Sequence, residues 1–278
     1  LTTCVLVRSV SQGAMQIAPL RVAQIILAKL TGNMEALSQW KLNEIAVVWE
    51  IRLPRVLAGF FVGAGLSAAG AIFQSLLGNP LADPYTLGVS TGAAFGATLM
   101  IFLNLTLGLS FSTVPTAFLM ASLTLLLVLA MAERGGGLVA SNLIIAGMIV
   151  SAILSSAIGF MKMLAGENVS AIVQWMMGSL SSKRWSELAL LVPLVLAGVG
   201  VSFLYANDLN VMTMGDRAAL ALGVNVKRTR VILLLCGAMM TAACVSVSGI
   251  IGFVGLVVPH MLRMGISSDN RRLLPLSA

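Results

Sequence analysis

The sequence predicts an all-α, polytopic membrane helical bundle, and three observations carry that prediction. At 58% hydrophobic and 10% charged residues, the 278-residue chain lacks the charged surface a soluble domain of this size needs. Long runs without Asp, Glu, Lys, Arg or His recur along it, among them Val56–Ala82, Pro84–Ala132 and Val231–Pro259. Turn chemistry rather than strand alternation separates these runs, above all Asn79-Pro80-Leu81-Ala82-Asp83-Pro84, where two prolines remove donors and fix φ.

Leu1–Val7 is apolar but too short to cross, and reads as the tail of a first helix. Ser9–Glu50 is mixed; Ile17, Leu20, Val22, Ile25, Ile26 and Leu30 predict an amphipathic helix along the membrane surface or over the bundle. The first span follows from Val56. Its small residues, from Ala58 and Gly59 through Ala71, suit close packing in lipid, where there is no hydrophobic drive for helices to associate. Pro84–Ala132 is 49 residues long, too long for one crossing, and Asn104, Gly108, Ser110, Ser112 and Pro115 supply the turn between two spans. Glu133-Arg134 and the tight turn Gly135–Gly137 end the second of these.

Leu143–Met161 makes the next span, and Lys162–Glu187 connects, with Trp175 and Trp185 suited to an interface that keeps the indole N–H wet. Leu188–Tyr205 crosses again, and Asn207–Arg230 is the most polar loop. Val231–Pro259 splits at Ser246-Val247-Ser248-Gly249 into two segments, the second short. The total is seven membrane segments and a stub. Gly70-Ala71-Ile72 before Pro80 echoes Gly249-Ile250-Ile251 before Pro259, as an inverted repeat would. Counting crossings from Arg52 puts eight Lys/Arg on one side and nine on the other, so charge does not set the orientation.

Several function classes fall away. The net charge of +7 is scattered between spans without aromatic interleaving, which argues against nucleic acid. No GxxxxGK[ST] loop is present, so nucleotide energy must arrive through a partner. No catalytic constellation or metal-ligand spacing is found: His260 stands alone at a helix edge, and Cys236 and Cys244 lie in an apolar run. No Asp, Glu, Lys or Arg falls mid-span, where an ion-coupled carrier needs one, so a secondary carrier or channel independent of ATP is the weaker alternative. In the polar loop, Asp216–Gly223 reads as a short helix between Gly215 and a stop at Gly223. From the residues alone it is either a plain connector or a docking helix.

IRLPR (Ile51–Arg55), the Gly/Ala-rich helix with GAIFQ (Gly70–Gln74) and NPLADPYTLGVSTGA (Asn79–Ala93) together resemble the FecCD family of bacterial ABC importer permeases, which carry iron complexes, haem or cobalamin. The resemblance runs from about Gly13 to the last residue. It implies one transmembrane permease domain over residues 1–278, of the type II importer kind, continued at both ends to about ten spans. It implies a homodimer in the bacterial inner membrane, two separate ATPase subunits that bind ATP and Mg, and a periplasmic or lipid-anchored binding protein. It implies no cofactor in this chain and no catalysis by it. The cargo it implies is an iron complex, a ferric siderophore ahead of haem or cobalamin.

The resemblance also assigns residues. Gly215, Asp216, Arg217, Ala219, Leu222 and Gly223 match the cytoplasmic coupling helices that seat in the ATPase. Arg52 and Arg55 match arginines that meet acidic residues on the binding protein, the alternative being two headgroup anchors. Asn79 and Leu81, with Ala140 and Ser141, match the cytoplasmic gate. Ala140 stands where a relative has a hydroxyl, which implies an apolar plug rather than a hydrogen-bonded gate.

Overall fold

The computed structural model describes residues 2–278 and is helical throughout, with no strand among the described residues. The chain divides into two compact units, one holding the segment up to Phe60 with Leu180–Leu190, the other Phe61–Ser179 with Leu191–Ala278.

In the first unit, α1 (Thr2–Ser11), α2 (Pro19–Thr31), α3 (Met34–Ser38) and α4 (Leu42–Ala46) lead through a π-helical stretch, Val47–Arg52, into α5 (Leu53–Leu76). Pro19 opens α2, where its missing N–H costs nothing, and Gly32 closes it in the left-handed conformation. Val22, Ile25 and Ala28 of α2 pack with Val10, Ile17, Ile45 and Val48. Leu20 and Leu30, expected on the same apolar stripe, instead lie exposed: 3.6-residue periodicity puts them about half a turn from Ile25. Trp185 does not keep its indole N–H wet; it donates to the carbonyl of Trp49, 3.1 Å away, with the two rings tilted and 5.1 Å apart.

In the second unit the rest of α5 is joined by α6 (Val89–Leu107), α7 (Thr113–Arg134), α8 (Ala140–Ala165), α9 (Val169–Met176), the part of α10 (Trp185–Leu204) from Leu191 on, α11 (Ala206–Met212), α12 (Asp216–Ala221), α13 (Val226–Ser248), α14 (Val254–Gly265) and α15 (Asn270–Ser277). Asn104 bridges the α6–α7 turn by bonding both backbone groups of Phe111, and Ser112 caps α7. Of the most apolar window of α13, 72% is buried, against 28% in α8, so α13 is central and α8 presents most of its surface outward.

Six helices among the described residues are long and apolar enough to cross a membrane, one fewer than the seven segments expected. The seventh is α14. Its 12 residues rise about 18 Å, short of a bilayer core of about 30 Å. The break before it, at Gly249–Phe253, is where the expected split falls. The echo between Gly70 and Gly249 does not extend to structure: Gly70 sits inside α5, whereas Gly249 ends α13 at φ +71°. Gly70 has a different task. A Cβ there would come within 1.7 Å of the carbonyl oxygen of Gly255, so two glycines let α14 lie directly on α5.

Candidate functional site

The polar loop expected to carry coupling folds as two short helices. The sequence reading missed α11, because ANDLNVM mixes polar and apolar residues too evenly to show a stripe over two turns. Between Gly215 at φ +106° and Gly223 at φ +82°, α12 forms as expected; both glycines adopt backbone that side-chain-bearing residues resist. Ala219 is fully buried and anchors α12, while Arg217 is exposed and Leu220 and Leu222 are 61% and 66% exposed. Asp216 meets Arg230 at 2.6 Å, which ties the start of α12 back to α13. A second ion pair, Lys227 with Glu133 at 2.5 Å, ties α13 to the end of α7. Between these ties lies a cavity of about 320 Å³ walled by Glu133, Leu138, Asp216, Leu220, Val226 and Arg230.

Of the expected gate residues, Asn79 and Leu81 lie in the turn after α5 and Ala140 and Ser141 open α8. Asn79 holds the turn by accepting the N–H of Leu81 at 2.9 Å, and its own N–H reaches the carbonyl of Gln74. Leu81 and Ser141 are exposed. The packing that joins the two segments lies deeper in α8, at Gly147, where a Cβ would come within 2.6 Å of the Thr86 carbonyl. Asp83 caps the short 3-10 turn Pro84–Leu87 by accepting the Tyr85 N–H at 2.9 Å. Burial raises its carboxyl above the usual aspartate range, partly offset by that bond. The Tyr85 hydroxyl donates to the Ile251 carbonyl at 2.6 Å, which fixes the turn to the break between α13 and α14.

In the first unit, the two expected docking arginines behave differently. The partly buried Arg52 donates to the carbonyls of Val10, Ser11 and Met15 at 3.1, 3.2 and 2.5 Å. Its guanidinium thereby satisfies orphan carbonyls at and beyond the end of α1. Arg55 is exposed beside Ser9 and Gln12. The π-helical stretch that ends at Arg52 widens the turn there, and the IRLPR text alone does not announce it.

Sequence reasoning also passed over Ser75, Asn210, Arg263 and Asn270, which the fold brings together although they lie up to 195 residues apart. Gln74-Ser75, a polar pair inside an apolar run, was the available signal. Among the described residues, no group of three or more His, Cys, Asp or Glu side chains converges as a metal site would.

The model of the FecCD transport family matches residues 1–278. An uncharacterized ABC transporter permease protein, YvrB, of Bacillus subtilis (strain 168) is 43% identical over 235 residues, 84% of this chain and 67% of that protein. The cobalamin import system permease protein BtuC of Halobacterium salinarum is 39% identical over 232 residues, 84% of this chain and 62% of that protein. The hemin transport system permease protein HmuU of Yersinia pestis is 38% identical over 269 residues, 92% and 80% of the two chains. The chain thus spans about two thirds of the length of the first two relatives. A solved structure described as an inward-facing conformation of a metal-chelate type ABC transporter superposes with a TM-score of 0.81 at 29% identity, over 99% of this chain and 82% of that one.

Proposed function

The chain belongs to the FecCD transport family, and from that membership we propose that it is the membrane-spanning permease subunit of an ATP-driven importer of metal chelates. It works as a homodimer with two ATPase subunits on the cytoplasmic face and a substrate-binding protein on the other. The chain itself is a transport subunit and hydrolyses nothing. The observation that carries the reading, beside the family match, is α12. It is held by Gly215, Gly223 and the Asp216–Arg230 pair, yet leaves Arg217, Leu220 and Leu222 exposed, as a helix that seats in a partner's cleft would.

In this reading, closure of the ATPases moves α11 and α12 as a body, and the movement opens the gate at Asn79, Leu81, Ala140 and Ser141. The cargo then passes between two subunits whose spans carry no mid-span Asp, Glu, Lys or Arg, which suits a solute wrapped in its own ligand. A ferric siderophore is the finer reading. Relatives are described as permeases for cobalamin, hemin and, in Escherichia coli at 34% identity, Fe(3+) dicitrate, and these chelates are the natural comparison set.

The test is to purify the full-length protein from its native membrane and identify what accompanies it. A P-loop ATPase should copurify, and reversing the charges at Asp216 and Arg217 should release it. Uptake of radiolabelled ferric siderophore, hemin and cyanocobalamin into proteoliposomes then ranks the cargo. A chain that comes alone and moves solute without ATP defeats the reading.

A further inference from the structure

We propose that Ser75, Asn270 and Asn210 form a transmission relay by which the α11–α12 loop acts on the end of α5 and the Asn79 turn; the inference rests on the importer reading above. The geometry is a single directed chain of hydrogen bonds. Arg263 Nη2 donates to the Ser75 hydroxyl at 2.8 Å and to the Ala71 carbonyl at 3.1 Å. The Ser75 hydroxyl donates to Asn270 Oδ1 at 3.0 Å. Asn270 Nδ2 donates to Asn210 Oδ1 at 2.8 Å, and Asn210 Nδ2 donates to Asp269 Oδ1 at 2.6 Å. The chain therefore runs from a guanidinium to a carboxylate with every donor pointing the same way. Hydrogen bonds arranged so polarise one another and are stronger together than singly.

The directions are fixed by chemistry. The backbone N–H of Asn270 also donates to Asn210 Oδ1, at 2.8 Å, so that atom must be the oxygen and the Asn210 amide nitrogen must face Asp269. Asn270 then has only its oxygen left for Ser75. Both Asn270 and Ser75 are buried, at 1% and 4% exposure, so no water competes for their polar atoms.

Each end of the chain sits where transmission requires it. Asn210 lies on α11, three residues before the turn that leads into α12. At the other end, the Ser75 carbonyl accepts the N–H of Gly78 and the neighbouring Gln74 carbonyl accepts that of Asn79, so Ser75 lies in the turn that shapes the gate segment. Displacing α11 by a hydrogen bond's length without moving α15 and the end of α5 would strand buried polar groups. The three elements consequently move together. Ser75, Asn270 and Asn210 act as positioning residues, since none of them need touch cargo or nucleotide.

The experiment uses the full-length permease, reconstituted with its ATPase and binding protein, and reads two quantities separately: ATP hydrolysed, and radiolabelled chelate imported. The probe is ferric dicitrate, hemin or cyanocobalamin, whichever the wild type takes up. Ser75→Ala and Asn210→Ala should cut chelate imported per ATP by about fivefold or more, with hydrolysis held within about twofold. Ser75→Thr, which keeps the hydroxyl, should stay within about twofold of wild type. The double variant should be no worse than the worse single one, because one broken chain cannot be broken again. If Ser75→Ala fails to assemble, Asn210→Ala decides on the same readouts, since its side chain is only partly buried. Parallel loss of hydrolysis and uptake, an unchanged ratio, failure of Ser75→Thr, or additive losses each overturn the relay while leaving the importer reading standing. A wild-type complex that imports nothing with ATP overturns the importer reading itself.

Discussion

Arg52 and Arg263 are solved alike and mean different things. Each places its guanidinium on neutral oxygens, and among the described residues neither lies within 4.0 Å of a carboxylate. Arg52 places three hydrogen bonds on the carbonyls of one short segment, Val10 to Met15, and backbone carbonyls pass nothing on. Arg263 bonds a carbonyl too, but also a hydroxyl, and a hydroxyl can pass the interaction on. What differs is the acceptor, and from it follows a static tie in one unit and a connected network in the other.

Removing each arginine sharpens that contrast. Arg263→Met should have the largest effect: import should fall about tenfold or more with ATP hydrolysis largely kept, and stability should fall by about 3 kcal/mol, the upper range for a charge-assisted bond. Import assays on the reconstituted complex, alongside thermal unfolding in detergent, separate the two effects. Arg52→Ala should cost about 2 kcal/mol for the carbonyls it uncovers, with import per ATP unchanged. Uncoupling by Arg52→Ala, or plain destabilisation by Arg263→Met, would erase the distinction.

Arg55 probes the same comparison at an exposed position. With Arg52 half-buried and bonded to carbonyls, Arg55 is the more exposed cation of the IRLPR stretch. In the importer reading, Arg55→Glu should slow association of the binding protein about tenfold, with the effect fading as salt is raised. Surface plasmon resonance across a salt series checks both. Equal slowing by Arg52→Ala would return Arg52 to the contact surface.

The sequence made the bundle legible because its evidence is local. Val89–Leu107, Thr113–Arg134 and Trp185–Leu204 are spans whose charge-free runs and turn residues lie side by side in the chain. The helix between Gly215 and Gly223 was legible for the same reason. That the segment after Ser246–Gly249 is short was legible too, but its seating on α5, through Gly70 and Gly255 and through Arg263, was not, since VGLVVPHML simply continues an apolar run. The inward turn of Arg52 depends on carbonyls about 40 residues earlier, which no spacing rule reaches. Asn210 and Asn270 look like ordinary helix-end residues until folding places them 2.8 Å apart.

The smallest expected effect lies at the anionic end of the Arg263 chain. Asp269 accepts the backbone N–H of Arg271 and the Asn210 amide, and these bonds hold its carboxyl below the usual aspartate value of 3.8. Because the folded state lowers this pKa, the group favours folding where it is ionised in both states, above about pH 5, and that contribution fades as pH falls through the folded value. Asp269→Asn removes the charge but can still accept both bonds, so the variant should unfold at slightly lower temperature than wild type near neutral pH. The gap should close as the pH is taken down toward about 3. Arg52→Ala offers the contrast, since its stability loss involves no group titrating there and should persist across the same range. A gap for Asp269→Asn that widens on acidification would mean that the carboxylate strains the chain instead of terminating it.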